Sequence, residues 1–85
     1  MRLLRTEHFK KDFKRLPREV QEKLPGVLEK FIENQRHPSL HTKKMQGVDS
    51  IWEMRLSNSY RLTFELSDEA ILLRRIGTHD ILRNP

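Results

Sequence analysis

The chain has 85 residues, long enough for one compact two-layer core that buries only about 60–65% of the unfolded surface, so residues 1–85 are expected to form a single domain. Seventeen Lys and Arg against twelve Asp and Glu give a net charge of +5, which favours polyanionic partners, nucleic acid above all, or an acidic protein. The absence of cysteine excludes a disulfide framework and a thiolate metal site. Met1 to Arg5 is too short and too charged for a signal peptide, and no stretch approaches the roughly 18 apolar residues of a membrane span; the expectation is a soluble, cytoplasmic protein with no membrane partner.

Arg2-Leu3-Leu4-Arg5 reads as a short first strand. Thr6 is placed to cap a helix that carries Glu7 in its first turn and Phe9, Phe13 and Leu16 on one stripe. Its opposite face holds Lys10, Lys11, Lys14 and Arg15, either a solvated face or a nucleic-acid contact. Pro17 ends this helix and suits the first turn of a second one, which carries Val20, Leu24, Val27, Leu28, Phe31 and Ile32. Pro25 lacks the N–H that would bond back to Gln21, so a kink or a break into two short helices is expected there.

His37-Pro38-Ser39 is the turn out of the helices, after which the hydrophobic period changes from 3.6 to 2. Leu40 to Gln46 reads as a polar edge strand, and Gly47-Val48-Asp49-Ser50 as a loop. Trp52, Met54 and Leu56 alternate with Glu53 and Arg55; Ser57-Asn58-Ser59 makes a turn; Tyr60, Leu62, Phe64 and Leu66 alternate with Arg61, Thr63 and Glu65. Ser67-Asp68-Glu69 makes the next turn, and Ala70 to Ile76 is apolar on both parities, as in a strand covered on both faces. The expected fold is α+β, a two-layer β-α-α-β-β-β-β arrangement in which a helical hairpin packs on one face of a mostly antiparallel sheet, with the first strand crossing over to lie beside the last.

If the apolar parity faces the helices, Arg55 and Arg61 stand on the uncovered face, with His41, Lys43 and Lys44 at its rim and Tyr60 at a strand start beside it. Leu72 to Asp80 is expected to bend at Gly77 and to deliver Arg74, Arg75 and His79 to the same region, with either arginine facing the cleft. Arginines hold phosphodiester oxygens by bidentate hydrogen bonds, and a histidine with an ordinary pKa of about 6.5 exchanges protons at cellular pH. That set can cleave RNA without metal: a base takes the ribose 2′-OH proton, arginines stabilise the phosphoryl charge and an acid protonates the 5′-oxygen. The competing reading pairs Arg55 and Arg61 with Glu53 and Glu65 across strands. No phosphate-binding glycine loop and no serine nucleophile beside a base is present, and His37 and His41 have metal-like spacing only in a helix, which Pro38 disfavours, so no metal and no small-molecule cofactor are expected.

The runs Phe9-Lys10-Lys11-Asp12-Phe13-Lys14-Arg15-Leu16-Pro17, His37-Pro38-Ser39-Leu40, Trp52-Glu53-Met54-Arg55, Tyr60-Arg61-Leu62 and Gly77-Thr78-His79-Asp80 together resemble the RelE/ParE superfamily of type II toxins. The resemblance covers nearly the whole chain. It implies a ribosome-dependent mRNA endoribonuclease, with the ribosome, mRNA and a cognate antitoxin as partners. His79 then matches the general acid of the YafQ-like and YoeB-like branches, Arg75 and Arg61 match phosphate-stabilising arginines, and Arg55 falls where relatives carry a basic residue or histidine. The base of those branches falls near His41 or Lys43. After His79 the chain reads Leu82-Arg83-Asn84-Pro85, without the aromatic residue that relatives place there. The same scaffold also serves ParE-like toxins that act on gyrase by protein contact without a general acid, and a basic binding module is a third reading.

Overall fold

The computed structural model describes residues 2–47 and 50–85; Met1, and Val48 and Asp49 of the loop expected at 47–50, lie outside them. The first strand, β1 (Arg2–Arg5), leads into α1 (Glu7–Lys14). Thr6 joins the two: its hydroxyl accepts the Phe9 N–H at the helix start and donates to the Arg74 carbonyl, while its own N–H donates to Leu73. One side chain thus caps the helix and ties it to the sheet. The second helical stretch breaks in two, α2 (Arg18–Gln21) and α3 (Leu24–Glu33). Pro25 sits in the first turn of α3, where a missing N–H costs nothing, so the chain breaks ahead of the proline instead of kinking at it.

A 3-10 turn (Pro38–Leu40) leads to β2 (Lys43–Lys44), β3 (Ile51–Arg55), β4 (Tyr60–Leu66) and β5 (Ala70–Thr78), and a second 3-10 segment follows at His79–Arg83. The edge strand expected over Leu40 to Gln46 is therefore only two residues long. The sheet order is β1-β5-β4-β3-β2, with β1 parallel to β5 and every other pair antiparallel. The helices bury Phe9, Val20, Leu24, Val27, Leu28 and Phe31 against Met54, Leu56, Leu62, Phe64, Ile71, Leu73 and Ile76, and the Phe31 ring meets Phe64 edge to face at 5.1 Å between centroids.

The two-parity apolar run of β5 has a local cause. Phe64 pairs with Leu73 and Thr63 with Arg75, so Arg74 is an extra residue, a β-bulge. Ile71, Leu73 and Ile76 thereby share the helix-facing side although they are spaced two and then three apart. The expected bend at Gly77 is absent: the strand runs on through Gly77 to Thr78, and the irregularity lies at Arg74 instead. Gly77 answers to packing, because a Cβ there would lie 2.9 Å from Cγ2 of Ile81.

Beyond Leu73, β1 has ended and the outer edge of β5 has no strand beside it. The Asp12 carboxylate of α1 fills that role. It accepts the Ile76 N–H at 3.2 Å and takes the Arg75 guanidinium by two bonds, Nε to Oδ2 at 2.6 Å and Nη2 to Oδ1 at 3.1 Å. Arg75 also donates from Nη1 to the Asn84 carbonyl. The hydrogen bonds that Arg75 donates to Asp12 raise its pKa above the ordinary value, outweighing the opposing effect of burial, so this charge is fixed. The second face of the sheet is not bare, as the alternation alone suggests. The C-terminal segment crosses it, and the Pro85 main-chain oxygen accepts from Thr63 Oγ1 and Arg74 Nε, leaving Thr63 0% exposed.

Asp12→Ala strips a mostly buried guanidinium of its partner and should lower the unfolding free energy by about 3 kcal/mol in urea denaturation. Adding Arg75→Met should recover part of the loss, because no unpaired charge then remains.

Candidate functional site

A cleft of about 460 Å³ opens on the second face, lined by His41, Thr42, Lys43, Glu53, Arg55, Arg61 and His79. Three strands and both flanking segments contribute. Arg55 and Arg61 are direct register partners across β3 and β4, and Arg61 lies opposite Gly77 of β5. Like charges placed opposite each other destabilise an antiparallel pair. Among the described residues neither arginine has a carboxylate within ion-pair distance: Glu53 pairs with Lys43 at 3.8 Å and Glu65 with Arg74. The cross-strand pairing of Arg55 and Arg61 with Glu53 and Glu65 is thus not formed.

Arg61 is fixed by the β3–β4 turn. Its Nη1 donates to the carbonyls of Ser57, Asn58 and Tyr60 at 2.9–3.1 Å, which anchors one end of the fork while the remaining N–H groups stay available. Arg55 Nε is buried and has no hydrogen-bond partner, and Thr42 Oγ1, on the same cleft wall, is in the same condition. Buried orphan donors are costly and cluster at binding sites. Two arginines paired in register on one cleft wall, one with an unused donor, supply the bidentate donors that phosphate fits.

His79 starts the 3-10 segment immediately after β5 and lines this cleft with Arg61. His41, with φ 47° in the left-handed region, and Lys43 form the opposite rim. The other sequence-derived candidates lie elsewhere. Arg75 is engaged by Asp12 and Asn84, and Arg74 by Glu65 and Pro85, so neither lines the cleft. Lys44 is the register partner of Trp52 and so takes the opposite parity from Lys43. Tyr60 is half-buried against the core cluster. Sequence alternation puts Glu53 on this face but reads it as a counter-charge to the arginines, whereas it is 8% exposed inside the cleft; Thr42, which also lines the cleft, carries no sequence signal. Asp12, seen in sequence only as part of a motif, is buried as the partner of Arg75. Among the described residues no group of three His, Asp or Glu is arranged to hold a metal ion.

The architecture is the RelE-like fold, an α+β unit of helices on a five-stranded mixed sheet. No protein-family model matches the chain, and no curated protein matches its sequence; the likeness is to solved structures. YafQ from E. coli strain BL21(DE3) superposes with a TM-score of 0.79 at 19% identity, over 96% of this chain and 98% of that one. A chain of the RelB–RelE antitoxin–toxin complex from Methanococcus jannaschii does so with 0.73 at 22% identity, over 95% of each. The isolated E. coli RelE toxin gives 0.69 at 25% identity, over 91% of this chain and 82% of that one.

Replacing Arg55 by Met removes the opposed charge and the orphan donor together. It should raise the unfolding free energy by about 0.5–1 kcal/mol while weakening the binding of phosphate anion to the cleft; urea denaturation and phosphate titration should therefore move in opposite directions.

Proposed function

We propose that the protein is the toxin of a type II toxin–antitoxin pair and a metal-independent endoribonuclease that cleaves mRNA on the ribosome. The observation that carries this reading is Arg55 facing Arg61 in one cleft with His79. The two guanidinium groups hold the non-bridging oxygens of the scissile phosphate and stabilise the charge that grows on them. As the 2′-oxygen attacks phosphorus, the bond to the 5′-oxygen breaks and the His79 imidazolium gives that oxygen its proton. The products are a 2′,3′-cyclic phosphate and a 5′-hydroxyl end. His41 and Lys43 draw the backbone to the rim, and the net charge of +5 speeds encounter with the anionic ribosome in the cytoplasm. Arg75 and Arg74 serve this chemistry as scaffold, holding the segment that carries His79.

The toxin assignment draws support from the fold shared with YafQ and RelE. The partnership draws support from the RelB–RelE complex, in which a chain of this fold sits with an antitoxin. An acidic segment of a cognate antitoxin would neutralise the cleft by occupying its arginines.

Induced in cells, the protein should arrest growth and yield mRNA cuts that primer extension maps to translated codons. His79→Ala should lower cleavage by about 10²–10⁴-fold and leave folding and antitoxin binding unchanged. Full toxicity of that variant removes the reading, as does DNA breakage with intact mRNA.

A further inference from the structure

Resting on the ribonuclease reading above, we infer that Glu53 is the general base that takes the proton from the 2′-hydroxyl. Among the described residues its carboxylate is the only acidic group on the cleft wall; each of the others that line it is a cation, an imidazole or a hydroxyl. A surface glutamate placed there only for solubility would extend into water. The Glu53 side chain is instead 10% exposed, held on an interior strand between Lys43 of β2 and Thr63 of β4. Lys43 is its ion-pair partner at 3.8 Å, and the charged and titratable groups that share the cleft with it are Arg55 two residues along its own strand, Arg61 from β4, His41 from the segment before β2 and His79 from the C-terminal segment. The imidazole at the rim, His41, stands on irregular backbone with a positive φ, whereas Glu53 stands on a strand paired on both sides, the more precise support for a proton acceptor.

The sheet register supplies the second line of argument. Glu53 and Thr63 form one row across the strands, and Arg55, Arg61 and Gly77 form the next, displaced by two residues or about 6.6 Å. His79 follows two residues beyond Gly77 in the same direction. Along the strands, the arginine row therefore falls between the positions of Glu53 and His79. A phosphate held on that row has its attacking oxygen toward Glu53 and its leaving oxygen toward His79, the in-line disposition that displacement at phosphorus requires. In the balanced step, the 2′-OH proton passes to the Glu53 carboxylate, the 2′-oxygen bonds to phosphorus, the bond to the 5′-oxygen breaks and that oxygen takes the His79 proton. Glu53 leaves protonated and His79 neutral, and exchange with water restores both.

The test compares Glu53→Gln and Glu53→Asp with the unsubstituted protein in single-turnover cleavage of ribosome-bound mRNA across pH, with folding checked by thermal melting. As a base, Glu53 should lose about 10²-fold or more in kcat in the Gln variant, with KM unchanged or lowered and the acidic limb of the kcat profile gone; Asp should retain part of the rate. A substrate with a 5′-bridging sulfur, whose leaving group needs no proton, should restore cleavage to His79→Ala and not to Glu53→Gln. A folded Gln variant whose kcat stays within about threefold of the unsubstituted rate, or whose loss lies wholly in KM, reduces Glu53 to a counter-charge and overturns the inference. Rescue of Glu53→Gln by the sulfur substrate overturns it as well. Absence of cleavage by the unsubstituted protein instead overturns the ribonuclease reading beneath it.

Discussion

The Asp12–Arg75 pair is the interaction on which the rest of the structure depends. It joins three parts of the chain that sequence separates widely: α1, the far half of β5 and the C-terminal segment. Because β1 ends at Arg5, opposite Leu73, the edge of β5 beyond Leu73 has main-chain groups without a strand partner. The carboxylate takes one of those groups and neutralises the guanidinium that reaches round the edge. A buried ion pair is weak support for net stability, since desolvation offsets most of its attraction. What it supplies here is position: α1 is docked at one place along β5, and the segment that begins with His79 is held down at its far end through Asn84.

The cleft shows the opposite arrangement. Its charges are assembled without compensation, with Arg55 against Arg61 and one buried donor left unused. A protein selected only to fold would place Glu53 and Glu65 on these two arginines, as simple cross-strand pairing suggests. Instead Glu53 goes to Lys43 and Glu65 to Arg74. Local rules are broken at the cleft and obeyed at the scaffold, the pattern expected where a surface is kept ready for an anionic ligand.

Much of this was legible in the sequence. The switch of hydrophobic period from 3.6 to 2 after His37 separates the helices from the meander, and the alternation of Trp52, Met54 and Leu56 against Glu53 and Arg55 sorts the two faces of β3 correctly. Arg61 and His79 come together as their positions suggest. Three features were hidden, each for a physical reason. An Asp at the polar side of an amphipathic helix carries no sign that a sheet edge will need it. A bulge leaves no trace in an apolar run, so Arg74 and Arg75 could not be told apart, and both proved to be engaged outside the cleft. Alternation also takes no account of chain returning over a face, so the burial of Thr63 under Pro85 and the enclosure of Glu53 were not foreseeable.

The bulge at Arg74 has a consequence for how such a chain can vary. A β-strand is a two-state clock, each residue advancing the side-chain direction by half a cycle. The extra residue resets that clock once, between the half of β5 that pairs with β1 and the half that leads to His79. Core packing upstream and cleft geometry downstream are thereby put out of phase with each other, and each half can keep its own alternation. Single-residue insertions or deletions anywhere between Leu73 and Thr78 are consequently not length changes but inversions, exchanging the direction in which the end of the strand delivers its histidine.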